Sequence, residues 1–288
     1  MKTRNESAYD PLLMTRREAL EKLGAATLLG LGLWPGALRA AEATPPDDGF
    51  TFIQVNDTHH MSPECSLWLE RVVAQMHAEQ PAFCVHVGDV ADRGAHEDLT
   101  AVRSVFAGLG APLHVLIGNH DYKTQTDRSA YEAVFPGCLN YDFEHRGWQF
   151  VCVDSTDGAR WHDTMIADST LRWVDDRLPQ IDRTRPLVLC THFPLGQGVP
   201  YRPRNADALL ERFRDYNLQA VFNGHYHGYT EHVFHAATVT TDKCCALKRQ
   251  NHDGTKEKGF FVCTARNGRI SRRFVEVSPV GFAVEAKA

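Results

Sequence analysis

Five short motifs concentrate the groups in this chain that could do chemistry: Asp57-Thr58-His59, Gly88-Asp89, Gly118-Asn119-His120-Asp121, Thr191-His192 and Gly224-His225-Tyr226-His227. They offer carboxylates, imidazoles and a carboxamide, and no thiolate. Imidazole suits zinc, iron, copper and nickel, whereas carboxylate and amide oxygen suit harder ions such as manganese, so the mixture points to first-row metals. Seven candidate ligands, Asp57, His59, Asp89, Asn119, His192, His225 and His227, exceed the four that a single tetrahedral ion takes. Two ions sharing a bridge fit better, and Asp89, with two oxygens on one carboxylate, is the choice of bridge. Metals about 3.5 to 4 Å apart can clamp the attacking and leaving oxygens of a phosphoryl displacement.

Each motif follows an apolar, β-branched run, at 50–55, 83–87, 113–117, 187–189 and 220–222. Such runs bounded by turn residues read as buried strands, and strand ends in an α/β sheet face a common crevice where distant residues converge. Between them lie helices. One is expected over 63–80, with Ser62 as cap, Pro63 in the first turn and Leu69, Val72, Val73 and Met76 on one face. A second is expected over 96–109 on Leu99, Val102, Phe106 and Leu109, and a third over 205–216 on Leu209, Leu210 and Phe213. From Asn140 the texture becomes antiparallel: 141–144 and 149–154 flank Arg146-Gly147, and Asn267-Gly268 is a strong hairpin signal. Both textures are satisfied by an α/β fold in four layers, an α-β-β-α sandwich with two mixed β-sheets packed centrally and helices on both outer faces.

With these motifs in this order the chain resembles the calcineurin-like metallophosphoesterases, whose pattern is Asp-x-His, Gly-Asp, Gly-Asn-His-Asp/Glu, His and Gly-His-x-His. The likeness spans about residues 50–230 and implies the same sandwich architecture. It also implies that Asp57, His59, Asp89 and His227 hold one metal, Asp89, Asn119, His192 and His225 the other, with manganese, iron or zinc as the two ions. The implied reaction is hydrolysis of a small phosphate ester by a metal-bridging hydroxide, with His120 protonating the leaving alkoxide. Size and the short β region after Gly-His-x-His look most like the bacterial cyclic-nucleotide phosphodiesterase branch, which favours phosphodiesters slightly over phosphomonoesters. The alternative from another class is a non-catalytic periplasmic protein that binds a phosphate-containing ligand in the same pocket; His120, a proton donor that a binder would not need, argues against it.

The stretch Gly88 to Gly94 is also similar to the Gly-Asp-x-x-Asp-Arg-Gly of the Ser/Thr protein phosphatases. That likeness implies a role for Asp92 in orienting His120 and for Arg93 in gripping phosphate; a turn or cap role for Asp92 stands equally. Purple acid phosphatases carry Tyr at the Asp92 position, so no tyrosinate colour is expected.

The chain has 288 residues, 43% of them hydrophobic, and a net charge of −5. That supports one sizeable core and offers no electrostatic footprint for nucleic acid. Thr15-Arg16-Arg17, a Gly-interrupted apolar stretch over 23–38 and small residues at Ala40, Ala41 and Ala43 look like a twin-arginine export signal. The expected organisation is a signal at 1–43, a linker at 44–49 and a metallophosphoesterase domain at 50–288. The expected location is periplasmic or secreted, by way of the twin-arginine export machinery and with no stable membrane anchor. Most of the eight cysteines are expected as buried free thiols, with packing favoured over redox chemistry at Cys244-Cys245. Among the other histidines, His60 could line the cleft or cap a turn, His86 reads as a satisfied core residue, and the rest, His252 included, default to surface or packing. Loops at 122–128, 197–204 and 243–258 should set substrate choice; Tyr201, Arg202 and Arg204 could meet an anion or a base, and Asp253-Gly254 could make the third loop a plain hairpin turn.

Overall fold

A computed structural model describes residues 49–282. The twin-arginine-like segment and all of the linker except Gly49 lie outside those residues. Among the described residues no helix is long and apolar enough to cross a membrane.

Two sheets form the centre. The first has strand order β11-β10-β1-β2-β3, with β1 (Phe50–Val55), β2 (Cys84–Val87) and β3 (Leu113–Leu116) mutually parallel and β10 (Gly259–Arg266) and β11 (Arg269–Glu276) antiparallel at one edge. The second has order β4-β5-β6-β7-β9-β8, where β5 (Trp148–Val153), β6 (Leu187–Thr191), β7 (Leu218–Asn223) and β9 (Ala237–Thr241) run parallel. Its antiparallel edge strands are β4 (Tyr141–His145) and β8 (Thr230–Phe234).

Period-two alternation assigns each strand's faces. Phe50 and Phe52 of β1, Val85 and Val87 of β2, Phe150 and Cys152 of β5, Val188 and Cys190 of β6 and Phe222 of β7 pack between the sheets. Phe52 and Phe83 stack there at 5.0 Å, and Phe150 meets both rings edge-on. The intervening residues face helices. Ile53 and Val55 pack with α1 (Pro63–Ala78), α2 (His96–Ala107) and α3 (Ser129–Val134). Leu187, Leu189 and Val221 pack with α4 (Asp168–Arg177) and α5 (Ala206–Leu210). The expected four layers are present.

Local differences have local causes. Ser62 stands at the N-cap of α1 with extended backbone, but its hydroxyl turns to Cys65 Sγ at 3.4 Å instead of capping an amide. The third expected helix is broken into α5 and a 3-10 turn at Glu211–Phe213. Helix α4 was not expected; Leu171 and Val174 are its buried apolar anchors in a run of Asp and Arg. The hairpin at Asn267-Gly268 forms as read, with φ of 51° and 69° between paired Arg266 and Arg269. The loop at 243–258 is not a hairpin turn, because β9 and β10 belong to different sheets and the segment must cross between them.

Where the chain leaves β9, Asp242 is buried to 1% exposure, and burial pushes its carboxyl up to about 7 against the pull of Arg272, whose Nη1 lies 3.8 Å away. A carboxyl raised in the fold keeps its proton while the unfolded chain loses it. Stability therefore falls as pH rises from the ordinary value of 3.8 towards 7. Asp242→Asn is expected to stabilise more at pH 8 than at pH 4, by up to about 4 kcal/mol. Thermal denaturation at both pH values checks this; an equal shift at both would contradict it.

Candidate metal centre

Every motif emerges at the C-terminal end of a parallel strand: Asp57 and His59 after β1, Asp89 after β2, Asn119 and His120 after β3, His192 after β6, His225 and His227 after β7. Backbone hydrogen bonds tie these strand-end loops together, Asp57 N–H to Gly88 O and His59 N–H to Asp89 O at 3.0 Å, and Gly224 N–H to His192 O at 2.9 Å. The glycines permit this crowding. A Cβ on Gly118 would stand 2.2 Å from Asp89 Oδ1, and one on Gly224 would stand 2.7 Å from Asp57 Oδ2. Asp57, His59, Asp89, His225 and His227 all hold left-handed backbone, with φ between 41° and 65°. Such conformations cost about 1 to 3 kcal/mol each in non-glycine residues and cluster where function fixes a side chain.

Three clusters of donors form; two share Asp89, and a third brings Asp92 and His120 to His59. Of the two that share Asp89, one comprises Asp57, His59, Asp89 and His227; the other comprises Asp89, His192 and His225. In the first, His59 Nε2 lies 3.1 Å from His227 Nε2 and 3.4 Å from Asp89 Oδ2, while His227 Nε2 lies 3.2 Å from Asp57 Oδ1. In the second, His192 Nε2 is 3.3 Å from both Asp89 Oδ1 and Asn119 Oδ1. Donors about 2.1 Å from an ion are separated by about 3.0 to 3.4 Å along the edges of an octahedron or tetrahedron, so these spacings fit metal. The two oxygens of Asp89 face different groups, an arrangement that suits a bridge.

The outer ring nitrogens are held by the protein. His192 Nδ1 meets Val87 O at 2.9 Å, His225 Nε2 meets Trp161 O at 2.8 Å, and His227 Nδ1 meets Gln250 O at 3.3 Å. His59 Nδ1 faces Asp92 Oδ1 at 3.4 Å. Such contacts select the tautomer that turns the other nitrogen's lone pair inward. Asn56 in turn donates to Asp57 Oδ2 at 2.5 Å.

Carboxylates and imidazoles in this buried cluster shift one another's titration in opposite directions. Burial would raise Asp57 and Asp89, yet His227 beside the first and His192 beside the second hold both carboxyls well below the usual range. Burial would lower His192, but Asp89 and Asp57 lift it to about 9; His227 is likewise lifted, against burial, by Cys244 and Asp57. Burial takes His59 down to about 4 and His225 to about 3. An entering cation competes with protons for His192 and His227, whose imidazoles the neighbouring carboxylates lift. Metal uptake is therefore expected to release protons, with affinity rising about tenfold per pH unit for each proton displaced, up to roughly pH 9. Calorimetry in buffers of different ionisation enthalpy measures the release; none at pH 7 would contradict this competition.

His120 stands at the edge, its backbone N–H on Asp89 Oδ1 and its Nδ1 donating to the backbone carbonyl of Asp92, both at 2.8 Å. Asp92 thus orients His120 through its main chain. Its carboxylate faces His59 and takes Arg249. Arg93 reaches the other oxygen of Asp92, with Nε 3.7 Å from Oδ2, but its side chain is 90% exposed and does not line the cavity. Arg249, from the loop between β9 and β10, does line it, with Nε at 2.9 Å and Nη2 at 2.5 Å from Asp92 Oδ1.

A cavity of about 520 Å³ opens over the donors, with Trp161, Tyr201, Arg249 and His252 in its lining. His252 packs 5.1 Å from the His227 ring, so it is neither surface nor plain packing. Trp161 acts through its carbonyl, which no sequence pattern marks. Arg202 and Arg204 are spent on Asp207 and Asp163. His60 is not a cleft residue; Asp98 and Ser66 hold it at 2.8 and 2.7 Å. His86 is buried on Thr58 Oγ1 at 3.0 Å. All eight cysteines are free thiols. Cys245 packs through its backbone, taking the Trp68 indole on its carbonyl at 2.7 Å.

A sequence model of the calcineurin-like phosphoesterase family matches residues 50–229, the segment that carries all the donors. The chain belongs to this family. It is 28% identical over 199 residues to a protein of Rhodopseudomonas palustris named as a probable cyclic nucleotide phosphodiesterase, a match covering 61% of this chain and 71% of that one. It is 26% identical over 213 residues to a glycerophosphodiester phosphodiesterase of Enterobacter lignolyticus, covering 65% and 74%. The fold is shared with a dimetal phosphatase from Danio rerio at a TM-score of 0.64 and 15% identity, over 78% of this chain and 95% of that one. As a calcineurin-like phosphoesterase the chain is of a metal-dependent hydrolase class, and its clustered His and Asp side chains could bind the metals.

Proposed function

We propose that the protein is a dinuclear-metal phosphoesterase that hydrolyses small phosphodiesters in preference to phosphomonoesters. The observation that carries this is the bridge, Asp89, whose two oxygens face two separate imidazole groups. Asp57, His59, Asp89 and His227 would hold one cation and Asp89, Asn119, His192 and His225 the other. Bound there, two manganese, iron or zinc ions supply the positive charge that activates water and draws electron density from the phosphoryl oxygens. The chain's own part is orientation and proton handling. His120, fixed at Nδ1 by the Asp92 carbonyl, turns Nε2 to the cavity and hands a proton to the departing alkoxide. The aromatic wall offers a face to an organic group, and two relatives named as phosphodiesterases support a diester substrate.

The test is turnover of bis(p-nitrophenyl) phosphate and p-nitrophenyl phosphate by protein loaded with manganese, iron or zinc. Diester turnover is expected with at least one metal; no hydrolysis by any metallated form would favour a ligand-binding protein instead.

The same proposal places residues 1–43 as a twin-arginine export signal, 44–49 as a linker and 50–288 as the catalytic domain, acting in the periplasm or outside the cell. N-terminal sequencing of exported protein should find a start after Ala41 or Ala43. Exported protein beginning at Met1 would overturn it.

A further inference from the structure

Lys258 is 5% exposed, and a lysine is seldom buried so deeply without partners. Its ammonium donates to the backbone carbonyl of Arg249 at 2.6 Å and to the sulfur of Cys244, itself fully buried, at 2.9 Å. Both ends of the nitrogen–sulfur contact are fixed. Cys244 N–H donates to Asn251 Oδ1 at 3.0 Å, Asn251 Nδ2 donates to Glu257 O at 2.9 Å, and Val277 N–H donates to Lys258 O at 2.7 Å. The two-metal scheme gives this pair no task. Cys84, Cys190, Cys245 and Cys263 differ: burial pushes their thiols up, which leaves them inert. Cys244 instead has an amine nitrogen against its sulfur.

The pair also lies close to the cavity. Cys244 Sγ is 3.7 Å from Gln250 O and 3.9 Å from Arg249 O, and both of those residues line the cavity. One layer of loop backbone separates the sulfur from that space, a barrier that a molecule as small as hydrogen peroxide passes when the loop opens locally.

We propose that Cys244 and Lys258 form a modification site, a pair that peroxide converts into a covalent Sγ–O–Nζ cross-link. A first hydrogen peroxide gives one oxygen to the thiol, making a sulfenic acid, and its other oxygen leaves as water. In the second step the sulfenic oxygen bonds to Nζ. The O–H hydrogen and one hydrogen of the neutral amine pass with two electrons to a second peroxide, which becomes two waters. In sum, one thiol, one amine and two peroxides give the bridge and three waters. A direct S–N bond would require the atoms to close far inside 2.9 Å, whereas an oxygen set between them needs little movement. Two molecules of a dithiol reverse the change, returning thiol, amine and one water. The bridge joins the start of the loop between β9 and β10 to its end, across the segment that carries Arg249 and His252 into the cavity wall. It stands independently of the phosphoesterase reading.

The experiment treats the folded full chain with hydrogen peroxide, alkylates the remaining thiols and maps the tryptic peptides by mass. The expected product joins residues 244–248 to residues 257–266, uncut after Lys258. Its mass should lie about 14 Da above the sum of the two peptides, one oxygen gained and two hydrogens lost. Dithiothreitol should separate the two and restore cleavage after Lys258. Cys244→Ser and Lys258→Arg, with fold checked by circular dichroism, should both lack the product, and the wild-type map decides even where a variant fails to fold. The proposal is overturned if Cys244 stays reduced, ends as a sulfinic acid or pairs with Cys245 in a disulfide while trypsin still cuts after Lys258. A joined peptide about 2 Da below the sum, the mark of a direct S–N bond, would also overturn it.

Discussion

Asp89→Asn is expected to abolish binding of the metal pair and to lower turnover by at least about 10³-fold, because one carboxylate serves both groups and a carboxamide of the same shape cannot bridge two cations. The substitution keeps the side-chain oxygen that receives the His120 N–H, now at 2.8 Å, so the loop after β3 has no reason to collapse. It removes the anion that His192 faces at 3.3 Å and His59 at 3.4 Å. Metal analysis with circular dichroism separates lost metal from lost fold. A folded Asp89→Asn protein that still held two metals would refute the bridge.

His120→Ala is expected to lower kcat by about 10²- to 10⁴-fold for alkyl leaving groups while metal content stays unchanged. The side chain is outside both four-donor sets, although its ring packs 4.7 Å from that of His59, and the backbone N–H that meets Asp89 is retained by alanine. The loss should shrink for nitrophenolate, which departs without needing a proton. Comparison of alkyl and nitrophenyl esters checks this; full activity of His120→Ala on the alkyl ester would show that the proton comes from elsewhere.

Both expectations concern residues that were legible in the sequence, and the reason is geometric. A strand's C-terminal end has a fixed place in an α/β sheet, so Asp57, Asp89, Asn119, His192 and His225 could be assigned to one crevice from the apolar runs before them. The two strand textures, parallel before Asn140 and antiparallel after it, gave the layered architecture, whereas the two faces of β1, Phe50 and Phe52 against Ile53 and Val55, came only from the structure. What escaped has no local period or turn signature. Arg249 meets Asp92 across 157 positions of sequence, and the loop that carries it looked like a turn because the sequence does not say that β9 and β10 lie in different sheets. Arg93 came from a local motif likeness, which does not say that its side chain stays 90% exposed at the outer oxygen of Asp92. Trp161 holds His225 with a main-chain oxygen, a contact any residue type could make. Helix α4 presents only Leu171, Val174 and Thr170 to the core among charged neighbours, too narrow a stripe to stand out.

The central claim is that donors from five strand ends enclose two cations joined by Asp89. It is tested most directly by anomalous diffraction from crystals of manganese-loaded protein, recorded at the metal's absorption edge. The account predicts two peaks about 3.5 to 4 Å apart, with one Asp89 oxygen on each or a single oxygen between them, Asp57, His59 and His227 around the first and Asn119, His192 and His225 around the second. A lone peak, or two peaks with His192 or His227 turned away from both, would contradict it.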